Sequence, residues 1–576
     1  MKYLNLTPYH KILELLESNK FQYNKKITIY SLYNFNPLIF NKYLELHLKQ
    51  RSLKPKILSS DFDQIDQELL SINNNLKSKK FDILVIGSDI NAKLSYNESA
   101  LDSYINSQKN NLVQCLKIIN KSKNLPIIFF NCSILNAAFF SSKEKFTKLS
   151  KKIVSFNQYL HKLSLKYKSL KILDVNGIGN LIGLENFYDS RNYYISKTPY
   201  SQQSNNHISF ELSQIISSIF ITRKKCLVLD LDNTLWGGIL GEDGPDGIDL
   251  GETYKGECFR NFQKYIKILL NKGIILAICS KNNIQDVREC FKKNKEMILN
   301  FNDFSSVQIN WTEKYLNINK ISEELNIGKD SMVFFDDSIF EREQMKKFNP
   351  TVNVIETPKD PENFIQAIEN SSFFYQTSLT DEDKKKKYQY EILKKVNKFK
   401  AKTKNINDFL KDLSMTIEIT NINKFNFERS VQLTNKVNQF NLTTKRYSSS
   451  ELQQFLKSKN QISLLVRLKD KFGDHGFTAL AMAKKVNSKT WIIDNFLLSC
   501  RILGRGVENV LLYELLKKLK KKKVNIVKGN YIKTKKNQQC KDFFIKNSFI
   551  KKDRAYICEL NKLRKLNNSF LKIKYE

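Results

Sequence analysis

No uninterrupted apolar stretch reaches the ~20 residues that a membrane-spanning helix needs, so no helical span is expected. The opening residues, Met1-Lys-Tyr-Leu-Asn-Leu-Thr-Pro8, lack the apolar core of a secretory signal. The nine cysteines include no Cys-x-x-Cys pair. That argues against a disulfide frame and for reduced thiols, and the expected location is cytoplasmic. Zinc-finger spacings and aromatic ribonucleoprotein motifs are also missing, so no base-reading module is visible. What is present is a chain of 576 residues, 41% hydrophobic, with 39 Phe and 25 Tyr. It is globular in composition and too long for one core, so three or four domains are expected. The net charge of +37 is compatible with nucleic acid, an anionic membrane or an acidic protein. The lysines are spread along the whole chain rather than gathered in a patch. Neither nucleic acid nor membrane is therefore expected as a partner.

The rest of the chain is organised around Leu227-Val-Leu-Asp-Leu-Asp-Asn-Thr-Leu-Trp-Gly-Gly238. The apolar run Cys226 to Leu229 reads as a buried parallel strand, and it delivers Asp230 and Asp232 to its end. The strand ends of an open α/β sheet are its usual ligand crevice. Two carboxylates that close repel each other, and a hard divalent cation such as Mg²⁺ relieves the repulsion. One can then attack phosphorus while the other moves the proton. A bare Asp-x-Asp occurs often by chance. Asp-x-Asp-x-Thr after a buried strand is more specific, and it resembles motif I of the haloacid dehalogenase-like (HAD) phosphotransferases.

Three further elements follow in order. Gly273 to Ser280 is a strand whose last residue offers a hydroxyl to a phosphoryl oxygen beside a helix N-terminus. Val307 to Lys314 brings Lys314, whose ammonium can neutralise phosphate and nucleophile. Met332 to Ser338 is a strand ending in Asp336 and Asp337, completing a Mg²⁺ site. Gly237 to Ile248 is a glycine-rich flap. The intervals between the elements leave no room for a large cap, so the crevice is open to bulky or protein-borne substrates.

Residues 1–215 alternate strand and helix signals and predict a parallel sheet. Strands are expected at Ile27–Tyr30, Phe81–Ile86, Leu125–Phe130 and Leu170–Asp174. The pattern resembles an SGNH-hydrolase-like, flavodoxin-type unit. Ser31 and His207 fall where such folds place nucleophile and base, but no Gly-Asp-Ser and no Asp-x-x-His surrounds them, so a scaffold or docking role is expected. Residues 222–375 hold the phosphate chemistry, and 376–405 read as a charged helical linker. Residues 406–576 form a last domain. It has strands at Met415–Ile419 and Trp491–Ser499, a hairpin over Ser463–Met482, and the polar run Asn438 to Tyr447. Arg501-Ile-Leu-Gly-Arg-Gly506 stands between a strand and a helix and resembles the pyrophosphate loop of the GNAT acyltransferases. The expected fold is multidomain α/β: an SGNH/flavodoxin-like domain, a HAD-like Rossmannoid domain without a large cap, and a GNAT-like α+β domain.

These stretches together make the chain resemble the FkbH-like proteins, HAD-superfamily phosphatase subfamily IIIC, almost end to end. The resemblance rests on Leu229 to Gly238, Cys279-Ser-Lys-Asn282, Phe335-Asp-Asp-Ser338 with Glu341-Arg342, Asn438 to Thr444 and Leu498 to Gly506. Phe187 to Arg191 and Lys197 to Ser201 match more weakly. The resemblance implies an enzyme that takes an acyl phosphate, glyceryl from 1,3-bisphosphoglycerate. It releases phosphate and loads the acyl group on the phosphopantetheine thiol of an acyl carrier protein, in polyketide or surface-polysaccharide biosynthesis. It makes Asp230 the nucleophile or chief Mg²⁺ ligand and Asp232 the acid/base, with Asp232, Asp336 and Asp337 joining Asp230 at the metal. It places Thr234, Ser280 and Lys314 on phosphate, and Arg501, Gly504, Arg505 and Gly506 on phosphopantetheine. A thioester intermediate points first to Cys279 and second to Cys500. The alternative is a plain phosphatase on a small or sugar phosphate, with a structural last domain.

Overall fold

The computed structural model describes the chain apart from residues 1–7, 19–20, 79, 90–97, 123–124, 134–142, 377–391, 393–395, 397–405, 438, 500–501, 535–536, 553–554, 564–565, 567–569 and 576. The chain divides into two compact units, residues 1–222 with 375–377, and residues 223–374 with 378–576. Nearly all of the expected linker, 376–405, lies outside the described residues.

The first unit is built on five parallel strands in the order β2-β1-β3-β4-β5. They are β1 (Lys25–Tyr33), β2 (Leu53–Ser59), β3 (Ile83–Gly87), β4 (Ile127–Phe130) and β5 (Leu170–Leu173). This is a flavodoxin-type order. The apolar runs of β1, β3 and β4 are buried on both faces, as parallel strands under two helical layers must be. The strand not expected from the sequence is β2, Leu-Lys-Pro-Lys-Ile-Leu-Ser. It lies at the sheet edge, where exposed lysines and Pro55 are tolerated because one side needs no ladder donor. Ser31 is fully buried within β1. Its hydroxyl donates to the Leu58 carbonyl at 3.3 Å and lies 2.9 Å from Ser59 Oγ. His207 sits in the Gln202–Phe220 helix, so the hydroxyl's partners come from the edge strand and not from that imidazole.

In the second unit, residues 223–374 carry a five-stranded parallel sheet of order β10-β9-β6-β7-β8. The strands are β6 (Cys226–Leu229), β7 (Ile275–Ser280), β8 (Phe304–Ile309), β9 (Met332–Phe335) and β10 (Asn353–Val354). Strand β6 is central, between β7 and β9. Chain order reverses there, which puts the ligand crevice at the carboxyl ends of these three strands. Side chains alternate between two buried layers, Leu227, Leu229, Leu276, Ile278, Val333 and Phe335 on one face, Cys226, Val228, Ala277, Cys279, Met332 and Phe334 on the other. Between β6 and β7 the flap closes on itself through an antiparallel bridge between Gly237 and Asp249. A Cβ on Gly237 would lie 2.9 Å from the Phe259 ring, and Gly238 has φ +89°, so the two glycines allow the tight path. Between β7 and Lys314 stand one helix, Ile284–Lys293, and β8, and no cap domain occurs among the described residues there.

Residues 406–576 form a mixed, mainly antiparallel nine-stranded sheet. Its path is β17 (Ile550–Lys552), β18 (Ala555–Glu559), β16 (Ile526–Gly529), β15 (Thr490–Leu498), β14 (Gly473–Lys485), β13 (Gln461–Asp470), β11 (Met415–Thr420) and β19 (Leu571–Tyr575), with β12 (Phe440–Asn441) on β15. The expected hairpin is β13–β14. The parallel ladder of β15 with β16 ends at Ile492, and farther along β15 the polar run takes over. Leu442 N donates to the Phe496 carbonyl at 3.0 Å, Thr443 Oγ1 to the Asp494 carbonyl at 3.0 Å, and Ile532 N to the Leu442 carbonyl at 2.8 Å. The stretch Phe440 to Thr443 is thus a structural wedge, which accounts for its peculiar composition.

Candidate active site

Parallel-strand ends bring the predicted acids together. Asp230 follows β6, Ser280 ends β7, and Asp336 and Asp337 follow β9. Lys314 opens the Lys314–Leu325 helix and reaches across. Its ammonium lies 2.7 Å from Asp230 Oδ2 and 2.7 Å from Asp336 Oδ2, with all three side chains buried. Burial alone would lower the lysine's pKa, but the carboxylates of Asp230 and Asp336 outweigh it and hold the group protonated. Asp336 and Asp337 are both pushed above the usual carboxylate range, by burial first and by the Asp230 charge second. One lysine therefore faces more negative charge than it can neutralise.

The chain is arranged to hold the acids in place. Ser338 N donates to Asp336 Oδ1 at 3.0 Å, and Arg342 Nη1 donates to the carbonyls of Asp336 and Asp337 at 2.8 and 2.7 Å. Lys281 is paired with Glu313 at 3.1 Å and with Glu341 at 3.0 Å. Asp230 Oδ1 and Thr234 Oγ1 are buried with no hydrogen-bond partner among the described residues. Unpaired buried acceptors are costly unless something else meets them.

Asp230, Asp336 and Asp337 can each offer one oxygen, all within 4.8 Å of one another. An all-oxygen, net-negative donor set with an orphaned carboxylate oxygen fits a hard divalent cation. The Asp232 carboxylate is not in this group. Its Oδ1 accepts from Trp236 Nε1 at 3.0 Å and Leu240 N at 3.1 Å, and its Oδ2 from Asn282 Nδ2 at 2.9 Å. Burial raises its pKa although these donors oppose the shift, so it is an oriented carboxyl suited to carrying a proton. Asn282 also donates to Ser280 Oγ at 3.3 Å, tying that hydroxyl to the Asp232 carboxylate.

Cys279 is placed differently from the expectation. It is fully buried, turned into the layer with Ile318 and Ile321, and its Sγ donates to the Lys314 carbonyl at 3.6 Å. Alternation along β7 sends Ser280 to one face and Cys279 to the other. Burial pushes the thiol well above its ordinary pKa, which disfavours the thiolate that a thioester would need. Cys500 and Arg501 lie outside the described residues. Gly504 and Gly506 have φ of +73° and +76°, so the turn before the Val507–Lys521 helix has the backbone that glycine allows. Arg505 does not reach outward from that loop. It is buried, 2.8 Å from Asp470 Oδ2, and His475 Nε2 lies 2.7 Å from the same oxygen. The structure places Arg505 in a buried ion cluster with Asp470 and His475.

Local sequence gave no role to Asn282, Trp236 or Arg342, although all three fall inside quoted motifs. An amide two residues past the strand-end serine, an indole four past Asp232 and an arginine five past Asp337 were the available signals. Thr357, Lys255 and Lys359, which line a cleft of about 580 Å³ beside Asp337, carry no such signal.

No protein-family model and no curated protein matches the chain. Among solved structures it is similar to the Mg-complexed N-terminal part, containing a phosphatase domain, of a Bacteroides fragilis protein. The TM-score is 0.57 at 26% identity, covering 64% of this chain and 99% of that one. Slighter likenesses are to a GNAT-family acetyltransferase from Desulfovibrio desulfuricans (TM-score 0.21, 9% identity, 25% of this chain and 99% of that one) and to the ribosomal-protein-S18-alanine N-acetyltransferase of Escherichia coli (0.19, 12%, 24% and 90%). Those two are too slight to bear on function. The chain is a mixed α/β, multidomain protein with parallel sheets and a HAD-like part. No helix among the described residues is long and apolar enough to cross a membrane.

Proposed function

We propose that the protein is a Mg²⁺-dependent enzyme of the HAD phosphatase type that removes phosphate from an acyl phosphate. The observation that carries this reading is the buried Asp230–Lys314–Asp336 bridge with Asp337 alongside and Asp230 Oδ1 left open. The Mg complex of the similar Bacteroides fragilis phosphatase part supports the choice of metal. When bound, Mg²⁺ supplies charge neutralisation for the incoming phosphoryl oxygens. Asp230, Asp336 and Asp337 would hold it.

The chain's own groups do the rest. Lys314 holds Asp230 by Oδ2, the Asp230 carboxylate attacks phosphorus, and the ammonium's charge offsets the phosphate's. As the phosphorus–oxygen bond to the acyl group breaks, the acyl oxygen leaves as a carboxylate. Asp232 then accepts a proton from the water that hydrolyses the aspartyl phosphate. Ser280 and Thr234 offer hydroxyls to phosphoryl oxygens. A second route over the same site is attack by a carrier thiol at the acyl carbon, with phosphate leaving.

The finer reading is that the acyl group is glyceryl, drawn from 1,3-bisphosphoglycerate. Its acceptor is the phosphopantetheine thiol of an acyl carrier protein, in polyketide or surface-polysaccharide biosynthesis in the cytoplasm. It rests on the FkbH-like motifs, and a net charge of +37 suits an acidic carrier. With Arg505 turned inward, the loop's share in gripping phosphopantetheine falls to the backbone at Gly504 and Gly506. Buried Cys279 makes direct transfer to the carrier thiol the simpler path. The test is to incubate the protein with Mg²⁺, a glyceryl-phosphate source and a panel of holo carrier proteins, then weigh the carriers. A glyceryl mass gained with wild type and not with Asp230→Asn supports transfer. Phosphate release with no modified carrier leaves a plain phosphatase.

A further inference from the structure

Beside the three carboxylates the cleft of about 580 Å³ continues past Asp337. It is far larger than one phosphoryl group needs and falls within the usual range for small-ligand sites. Its walls include Lys255, Phe259, Arg342, Thr357, Lys359 and Phe364. The acids there are already engaged. Asp337 belongs to the cation's donor set, and Asp249 Oδ1 accepts from the Thr253 hydroxyl. Arg342 Nη1 donates to the Asp336 and Asp337 carbonyls, and its Nε lies 3.5 Å from Glu356 Oε2. Lys255 and Lys359 are exposed, and neither makes an ion pair or hydrogen bond among the described residues. Thr357, 9% exposed, also lines the cleft, and its buried Oγ1 has no hydrogen-bond partner among the described residues. An orphaned hydroxyl and two uncommitted ammonium groups in one cleft make a cradle for an anion.

We infer that Lys255, Lys359 and Thr357 form a second anion subsite that selects substrates bearing a carboxylate or phosphate beyond the reacting phosphoryl group. This deepens the phosphatase reading and rests on it. The reacting phosphoryl group sits at Asp230 and Lys314, and the remainder of the molecule extends over Asp337 into the cleft. Thr357 donates its hydroxyl hydrogen to the distal anion while the lysines neutralise it. A substrate with a neutral tail leaves that hydroxyl unpaired and gains nothing from the lysines.

Binding separates the two claims without relying on turnover. Calorimetry in Mg²⁺ compares inorganic phosphate with phosphoglycolate, which adds a carboxylate one carbon away from the phosphate ester oxygen. Wild type is expected to bind phosphoglycolate about 10-fold more tightly, through two partly solvated ion pairs. In the double variant Lys255→Ala, Lys359→Ala the preference should vanish while phosphate affinity stays. The double arginine variant should keep the preference, and Thr357→Val should reduce it several-fold. Equal affinity for the two anions in wild type overturns the subsite, as does an equal loss for both in the double alanine variant. No Mg²⁺-dependent phosphate binding at all overturns the phosphatase reading as well.

Discussion

Two clusters in the second unit have the same ingredients and opposite states. In the central part, Lys314 bridges Asp230 and Asp336, and a carboxylate oxygen and the Thr234 hydroxyl remain without partners. In the last part, His475 and Arg505 converge on one oxygen of Asp470, and the three side chains are almost fully enclosed. The pKa directions follow. Asp336 and Asp337 are raised by burial and by Asp230, whereas Asp470 is lowered, because hydrogen bonding and charge from His475 and then the Arg505 charge override its burial. A buried ion cluster that is complete is structure. One left short of positive charge is built for something that arrives.

The contrast is broken most severely at Asp230. Asp230→Asn should lower phosphate release by about 10⁴-fold, the scale on which a nucleophile or its partner counts, with the melting temperature held or raised. Lys314→Met removes the cation that bridges two buried carboxylates. It should cost about 3 kcal/mol in the metal-free protein, and denaturation in Mg²⁺ should recover part of it. Arg505→Ala should cost less, about 2 kcal/mol, because His475 still meets Asp470, with no recovery by Mg²⁺ and unchanged phosphate release per folded molecule.

Acid separates the clusters by sign. Asp470 and Asp494 have folded pKa values below the ordinary range. Asp494 is buried too, and donors from Tyr447, Lys484 and Lys445 override that burial. Their stabilisation is present above a pH of about 4 and is lost as pH falls further. Asp336 and Asp337 are raised, so in chelator their part of the molecule should gain stability as pH falls from 7 towards 5. Peptide-resolved hydrogen exchange around β9 and around β13–β14 reads the two trends. The smallest effect is expected at Cys279→Ala, ~1 kcal/mol of core packing with phosphate release intact; a large loss of transfer would restore the thioester.

Much of this was legible in the sequence because buried parallel strands are continuous apolar runs. The residue that ends each run is therefore placed at the crevice. Asp230, Ser280 and Asp336 were found in that way, and Lys314 by its place in order between Ser280 and Asp336. Strand β2 was not, since an edge strand with alternating lysines and a proline has no such signature. Roles within a motif were less readable than the motif. Asp232 and Asp230 are two residues apart, yet one is closed by Trp236, Leu240 and Asn282 and the other is open. Arg505 follows the glycine turn as expected, and only tertiary structure shows it facing Asp470. Thr357 comes after the last strand of its sheet, and nothing local marks it as a wall of the cleft.

The most direct test of the central claim is phosphate release from acetyl phosphate by the full chain, titrated with Mg²⁺ after chelation, for wild type and Asp230→Asn. The account predicts release that is absent in chelator, restored by Mg²⁺ in wild type and not restored in the variant. Release that persists in chelator, or that Asp230→Asn retains in Mg²⁺, would contradict it.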